Sequence, residues 1–222
     1  MAENELEIYK DRLRKGLLRY MRQAFLMLPE IRSPRILDIG CGSGVPAIEL
    51  ARLSGGTITA IDIDQPALDR LIGKTRKEGL AGRIKVENRS MLNMDFPEAS
   101  FDIIWSEGSI FAVGFEKGIR EWRRFLKTGG FLVVHDEKGD VEKKQKQISR
   151  CGYALIDYFI LGDDIWWNEY FLPLNKKLQE LRAKGICDEN MAREIENDQR
   201  EIDGFKVNIE RNRSVYLIMR KI

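Results

Sequence analysis

The run Ile36-Leu37-Asp38-Ile39-Gly40-Cys41-Gly42-Ser43-Gly44 sets a carboxylate directly ahead of three alternating glycines. Glycine tolerates positive φ and lets a ligand approach the backbone without meeting a Cβ. Apolar residues precede the loop and a helical pattern follows it, the strand–loop–helix setting in which backbone N–H groups and the helix dipole hold a nucleotide. A dinucleotide fingerprint spaces its glycines G-x-G-x-x-G, with a pyrophosphate at the helix N-terminus. Here the third glycine, Gly44, comes one position early, and Val45 and Pro46 take the next places. Asp38 would repel a pyrophosphate and could pair with a cation. Both features disfavour NAD or FAD and suit a nucleoside that carries positive charge. Asp62 closes the next apolar run, Ile58 to Ile61, where a carboxylate can accept bonds from both ribose hydroxyls. Such charge-assisted bonds are worth about 1.5–3 kcal/mol each. Asp64 is placed to cap the helix that begins at Gln65-Pro66.

A second group could serve a reaction beside that nucleotide. Glu107 and His135 fall at the ends of the fourth and fifth apolar runs. His135 is the only histidine, hence the one side chain whose ordinary pKa suits a general base at neutral pH. A strand-end histidine that merely makes a local hydrogen bond is the competing reading. Glu107 reads as a cofactor-pocket or substrate-orienting group, and Asp136 and Glu137 as solvent-facing or capping groups. Aromatic residues Trp166, Trp167, Tyr170 and Phe171 open a later helical stretch. They could line a cleft for an acceptor or simply anchor that stretch.

The elements that must position these residues alternate in type. Residues 35–39, 57–62, 84–88, 102–105 and 131–135 are short β-branched or apolar runs, with helical stretches at 45–53, 66–78 and 115–126 between them. Such alternation predicts a parallel sheet covered on both faces. Residues 138–150 read as a polar helix, 153–161 as a sixth strand and 214–220 as a last one. The expected fold is α/β: a Rossmann-like, seven-stranded, mostly parallel sheet with helices on both faces. An amphipathic N-terminal helix over 6–28 ends at Pro29, and two helices around Gly185 fill 162–213. The division is therefore an N-terminal helical cap at 1–30 and a main domain at 31–222, with 162–213 inserted as a substrate cover. If the sixth strand runs parallel to the others, the insertion begins beside the ligand face. Tyr20 and Phe25 of the first helix could complete a roof there.

Composition narrows the class. A formal net charge of +2 provides no basic field for nucleic acid. The three cysteines, Cys41, Cys151 and Cys187, are too scattered for a disulfide framework, and with a single histidine they make no metal cluster. No run approaches the roughly 18–20 apolar residues that span a bilayer, and the N-terminus is acidic, unlike a signal peptide. A cytoplasmic chain without nucleic-acid or membrane partners is expected, with a homodimer as an option.

With ILDIGCGSG, AIDID, NMDFPEASFDIIWSEGSIF and LKTGGFLVV in this order over residues 35–135, the sequence resembles the class I S-adenosylmethionine-dependent methyltransferases. It is most similar to the small-molecule (ubiquinone/menaquinone-type) group of bacteria and archaea, through the Trp105–Gly130 segment and the aromatic stretch before Phe171-Leu172-Pro173-Leu174. The resemblance implies S-adenosyl-L-methionine as cofactor and a small-molecule methyl acceptor. It implies Asp38 near the methionine amino group and Gly40, Gly42 and Gly44 shaping the loop beside it. Asp62 would hold the ribose, Ile63 would pack on the adenine, and Ser90 and Met91 would lie at the adenine edge. Ser106 and Glu107 would lie below the methionine part. Relatives often carry Asp where this chain has Ser90, whose hydroxyl accepts a bond less strongly, and Asp95 stands in the wrong register to replace it. His135 and Glu107 remain the catalytic candidates, and Tyr20, Trp166, Trp167 and Tyr170 the acceptor-pocket candidates. A protein methyltransferase, a non-catalytic cofactor-binding module and a nicotinamide oxidoreductase are the alternatives. A nucleic-acid enzyme is disfavoured by Ser106-Glu107-Gly108, where such enzymes often carry Asn/Asp-Pro-Pro-Tyr/Phe.

Overall fold

The computed structural model describes residues 5–162, 164–185, 189–207 and 213–222, so Cys187 lies outside the described residues. Seven strands are described: β1 (Arg35–Ile39), β2 (Thr57–Asp62), β3 (Ile84–Asn88), β4 (Phe101–Glu107), β5 (Leu126–Glu137), β6 (Tyr153–Leu161) and β7 (Ser214–Lys221). They form one sheet in the order β3-β2-β1-β4-β5-β7-β6. β1 pairs in parallel with β2 and β4, as do β2 with β3 and β4 with β5. The chain steps outward from β1 to β3, then returns to the other side of β1 for β4. Strand order reverses there, and open α/β sheets bind ligands at the carboxyl ends beside such a point.

The last strand runs the other way. Lys221 Nζ reaches the Leu126 carbonyl at the start of β5, and the Ile222 N–H donates to Gly152, just before β6. β7 is thus antiparallel to both neighbours and β6 points with the core strands, the orientation on which the placing of the insertion depended. The sheet is mostly parallel, as the alternation predicted.

Two compact units are distinguished. One comprises Leu18–Asp136, Asp140–Phe159 and Val215–Ile222; the other comprises the described part of Met1–Leu17, Glu137–Gly139 and the described part of Ile160–Ser214. In the sheet unit, α2 (Val45–Ser54), α3 (Gln65–Lys77), α4 (Phe115–Trp122) and α5 (Val141–Arg150) alternate with the strands. The apolar runs that marked the strands become the core: Leu37, Ile39, Ile104, Leu132, Val134 and Leu217 are fully buried with Trp122 and Phe125. Asp64 caps α3 as expected, accepting the Ala67 N–H at 3.2 Å. Asp140 caps α5 by accepting from Lys143 N at 2.9 Å, so that helix starts three residues later than the polar pattern predicts.

β4 is the informative deviation. It continues past the apolar run through Ser106 and Glu107, which sit in register with Val134 and His135. The apolar run ends at Trp105, but the ladder carries on for as long as backbone partners exist, here through the polar and fully buried Ser106.

The helical unit holds the start of α1 (Glu5–Leu26), α6 (Leu172–Ala183), α7 (Glu189–Val207) and a π-helical turn, Trp167–Phe171. A charge network ties it together. Lys10 Nζ lies 3.0 Å from Glu7 and 2.8 Å from Asp198. Burial opposes its charge, but the two carboxylates outweigh burial and push the ammonium up to about 12. Arg14 lies over the Tyr170 ring at 5.6 Å.

Candidate active site

All three glycines of the loop after β1 have positive φ: Gly40 at 73°, Gly42 at 50° and Gly44 at 80°. Their surroundings differ. A Cβ on Gly40 would fall 2.4 Å from the Ser109 Cβ, and one on Gly44 would fall 2.1 Å from Leu71. A Cβ on Gly42 would meet nothing within 4 Å. Gly40 and Gly44 are therefore required by packing, and Gly42 alone borders open space that a ligand could enter.

The loop is fixed from two sides. Asp62 accepts the Gly42 N–H at 2.8 Å on Oδ2 and the Ile63 and Asp64 N–H groups at 2.7 and 3.1 Å on Oδ1. A carboxylate offers about four acceptor positions, so Asp62 retains room on Oδ2 for one further donor. Ser109 donates to the Ile39 carbonyl at 2.7 Å, and its hydroxyl lies 2.7 Å from that of Ser106. Ser106 is fully buried and engaged in this clip.

Next to Asp62, Ile63 is 70% exposed, an apolar side chain held in solvent where a flat aromatic ligand could cover it. The Ser90 hydroxyl accepts the Leu92 N–H at 3.2 Å in a local turn. Met91 packs partly against the core, with its Cε near the Gly40 position. Asp95 pairs with Arg89, which directs its charge away from any role in place of Ser90.

Asp38 carries an unsatisfied polar atom. It is 2% exposed, and its Oδ2 has no hydrogen-bond partner. Burial, then the nearby Glu107 and Asp62 carboxylates, raises its pKa well above the usual range. A buried carboxylate left in this state costs free energy until a proton or a cation reaches it.

Glu107, at the end of β4, is held differently. The Trp105 indole N–H donates to its Oε1 at 2.7 Å, and the Tyr216 hydroxyl of β7 also donates to it. Burial raises the carboxyl to about 7, with these two donors pulling the other way. His135 faces Glu107 across the β4–β5 ladder and stacks on Tyr216, with ring centroids 4.4 Å apart and planes 25° off parallel. Burial lowers its imidazole to about 3. Its neighbour Asp136, expected at the surface, is instead buried and ion-paired with Lys144.

The other candidates have partners of their own. Tyr20 is half-buried and carries the Arg19 guanidinium over its ring at 4.5 Å. In the helical unit, Trp166 donates to the Ser214 hydroxyl at 3.0 Å and meets Tyr170 edge-on at 5.7 Å. Trp167 and Phe171 both pack on Phe205 of α7, at 6.4 and 4.2 Å. Both contacts lie within the insertion itself. The π-helical turn lies between Trp166 and α6, and such turns are frequent at functional sites.

Sequence reasoning passed over Tyr216, Trp105 and Ser109. Tyr216 looked like one more apolar residue of SVYLIMR; its hydroxyl inside a fully buried strand was the available signal, since such groups require partners.

The site can now be compared with known proteins. Residues 36–130 match the family model of a methyltransferase domain. A sterol 24-C-methyltransferase of Gibberella zeae is 34% identical over 103 residues, 46% of this chain and 27% of that protein. A structure of a SAM-dependent methyltransferase from Thiobacillus denitrificans, solved with S-adenosylhomocysteine, has a TM-score of 0.68 at 17% identity and covers 91% of this chain and 90% of that one. The cyclase SpnF has a TM-score of 0.71 at 20% identity, covering 90% and 80%. Residues 36–130 thus resemble a methyltransferase domain, and the described fold is the Rossmann-like one of those solved structures. The match spans from about a quarter to less than half of the curated relatives' length, 27% to 46% for the sterol enzyme and two others.

Proposed function

We propose that this chain binds S-adenosylmethionine at the β1–β2–β4 strand ends and methylates a small-molecule acceptor there. The observation that carries the reading is the buried, unpartnered Oδ2 of Asp38 beside the open face of Gly42. The amino group of the cofactor's methionine part would satisfy that oxygen. Asp62 would receive a ribose hydroxyl on its remaining position, Ile63 would cover one adenine face, and Ser90 and Met91 would border its edge. Ser106 would act through Ser109 and the loop. When bound, the cofactor supplies an electrophilic methyl group on a sulfonium; the chain's own residues align the acceptor, keep water out and take up its proton.

Glu107 is the better-tuned proton acceptor of the two catalytic candidates. A general base works best with a pKa near the operating pH, which fits a carboxyl at about 7 and not an imidazole at about 3. Tyr20, Trp166 and Tyr170 are assigned to acceptor recognition within this proposal, and Trp167 to supporting them. The helical residues of 1–30 and 162–213 form its substrate cover. The reading also takes the chain as cytoplasmic and without nucleic-acid or membrane partners, supported by the net charge of +2 and the lack of a membrane-length apolar helix among the described residues. A homodimer would suit the exposed Ile156, Tyr158 and Ile160 on β6, and light scattering tests it.

Titration calorimetry with S-adenosylhomocysteine and with NAD tests the cofactor, and transfer of labelled methyl to a panel of small acceptors and peptides tests the reaction. Tight binding of NAD alone would overturn the reading. A fold relative named as a cyclase favours keeping a second outcome in view: cofactor binding with no methyl transfer to any acceptor would mark a binding module.

A further inference from the structure

We propose that Tyr216 is a positioning residue for Glu107, and that His135, the chain's only histidine, serves by stacking on Tyr216 rather than by carrying a proton. The inference rests on Glu107 being the proton acceptor. The geometry is a column of three rings: Phe159 of β6 lies 5.1 Å from Tyr216 at 17° between planes, and Tyr216 lies 4.4 Å from His135 at 25°. A phenol clamped on both faces cannot swing, so its hydroxyl keeps one direction, toward the Glu107 carboxyl. Trp105 Nε1 holds Oε1 at 2.7 Å. The carboxylate is thereby fixed by two neutral donors from β4 and β7, and neither can become a competing base at neutral pH.

The titratable groups facing Glu107 are Asp38 from β1, His135 from β5 and Tyr216 from β7. With His135 lowered to about 3 by burial, no cation among these helps Glu107 ionise at neutral pH. The two hydrogen bonds are what offset burial and bring its carboxyl to about 7. Removing either bond weakens the ionised form and drives the pKa upward. Reduction of His135 to an apolar ring of similar shape leaves the column intact.

The test needs no knowledge of the acceptor, because the Trp105 indole reports on the carboxylate it touches. Tryptophan emission is titrated from pH 5 to 9 in the full chain, with Glu107→Gln identifying the Glu107 transition. Tyr216→Phe is expected to move that midpoint up by roughly one unit. His135→Phe keeps the wild-type midpoint, and His135→Ala, which removes the ring, moves it upward by less than Tyr216→Phe. A Tyr216→Phe midpoint equal to wild type overturns this inference and leaves the proton-acceptor reading standing. So does a His135→Phe midpoint displaced as far as that of His135→Ala. A wild-type titration without any Glu107-dependent transition overturns both. If Tyr216→Phe does not fold, the His135→Ala and His135→Phe pair decides, and equal midpoints for these two sink the proposal.

Discussion

Two carboxylates, the buried Asp38 near the end of β1 and the half-buried Glu107 at the end of β4, show how the carboxyl ends of neighbouring strands can build opposite kinds of site. Asp38 is sealed among neighbours that do not complete it: one oxygen has no partner, and Glu107 and Asp62 add negative charge nearby. Glu107 is half-buried, and Trp105 and Tyr216 both donate to it. The first arrangement is incomplete without a cation from outside and suits recognition. The second has two donors for its ionised form and suits proton exchange. Burial raises both pKa values; the partners supplied by the fold decide what each carboxylate is for.

The largest expected effect comes from Asp38→Asn. Losing a charge-assisted bond to the cofactor's amino group should weaken S-adenosylhomocysteine binding about 10- to 100-fold by calorimetry. The empty protein should respond in the other direction. Because the folded pKa of Asp38 lies above its unfolded value, its favourable contribution is complete below the unfolded pKa and is lost as pH rises. At neutral pH Asn therefore stabilises the unliganded chain, by about 1–2 kcal/mol in denaturant unfolding. Unchanged cofactor affinity in this variant would remove the contrast between the two carboxylates.

Glu107→Gln should lower kcat about 100- to 1,000-fold once an acceptor is in hand, with cofactor affinity changed only a few-fold. Its stability difference from wild type also carries a sign. The Glu107 carboxyl is raised from 4.5 to about 7 on folding, so the stability it contributes is present below about pH 4.5 and disappears as pH rises through about 7. The melting temperature of the variant should therefore gain on wild type between pH 5 and 8. A constant difference across that range would contradict a perturbed carboxyl.

The glycines sharpen the comparison further. Gly40→Ala forces a Cβ onto Ser109 at positive φ and should cost about 2–3 kcal/mol of stability. Gly42→Ala meets no neighbour, so only backbone strain of about 1 kcal/mol applies, while cofactor affinity falls about tenfold. Equal losses of stability would mean that Gly42 is a packing glycine like the other. The smallest effect is expected for Ile63→Ala: affinity lower by about three- to tenfold from lost apolar cover, with the melting temperature unchanged because the side chain is already 70% exposed.

Much of this protein could be read before any coordinates. The strands β1 to β5, the cap at Asp64 and the loop after β1 follow from local pattern: apolar runs bury, short polar side chains cap, and glycines adopt positive φ. The loop after β1 was legible because Asp38 to Gly44 are adjacent in the chain, so that spacing alone encodes their geometry. The surroundings of Glu107 draw on β4, β5, β6 and β7, and no spacing encodes a ring column made from residues 135, 159 and 216. His135 shows the cost of reading a residue type without its surroundings. Its ordinary pKa points to a base, yet burial lowers it to about 3 and Tyr216 occupies its face. The sequence by itself determined the fold class, the glycine loop after β1 and the acids at the strand ends, because those depend on local conformation and hydrophobic pattern. Only the tertiary structure decided which acid lacks a partner and which is supplied with donors. Hydrogen-bond partners and desolvation are set by the strands that fold alongside, not by neighbours in the chain.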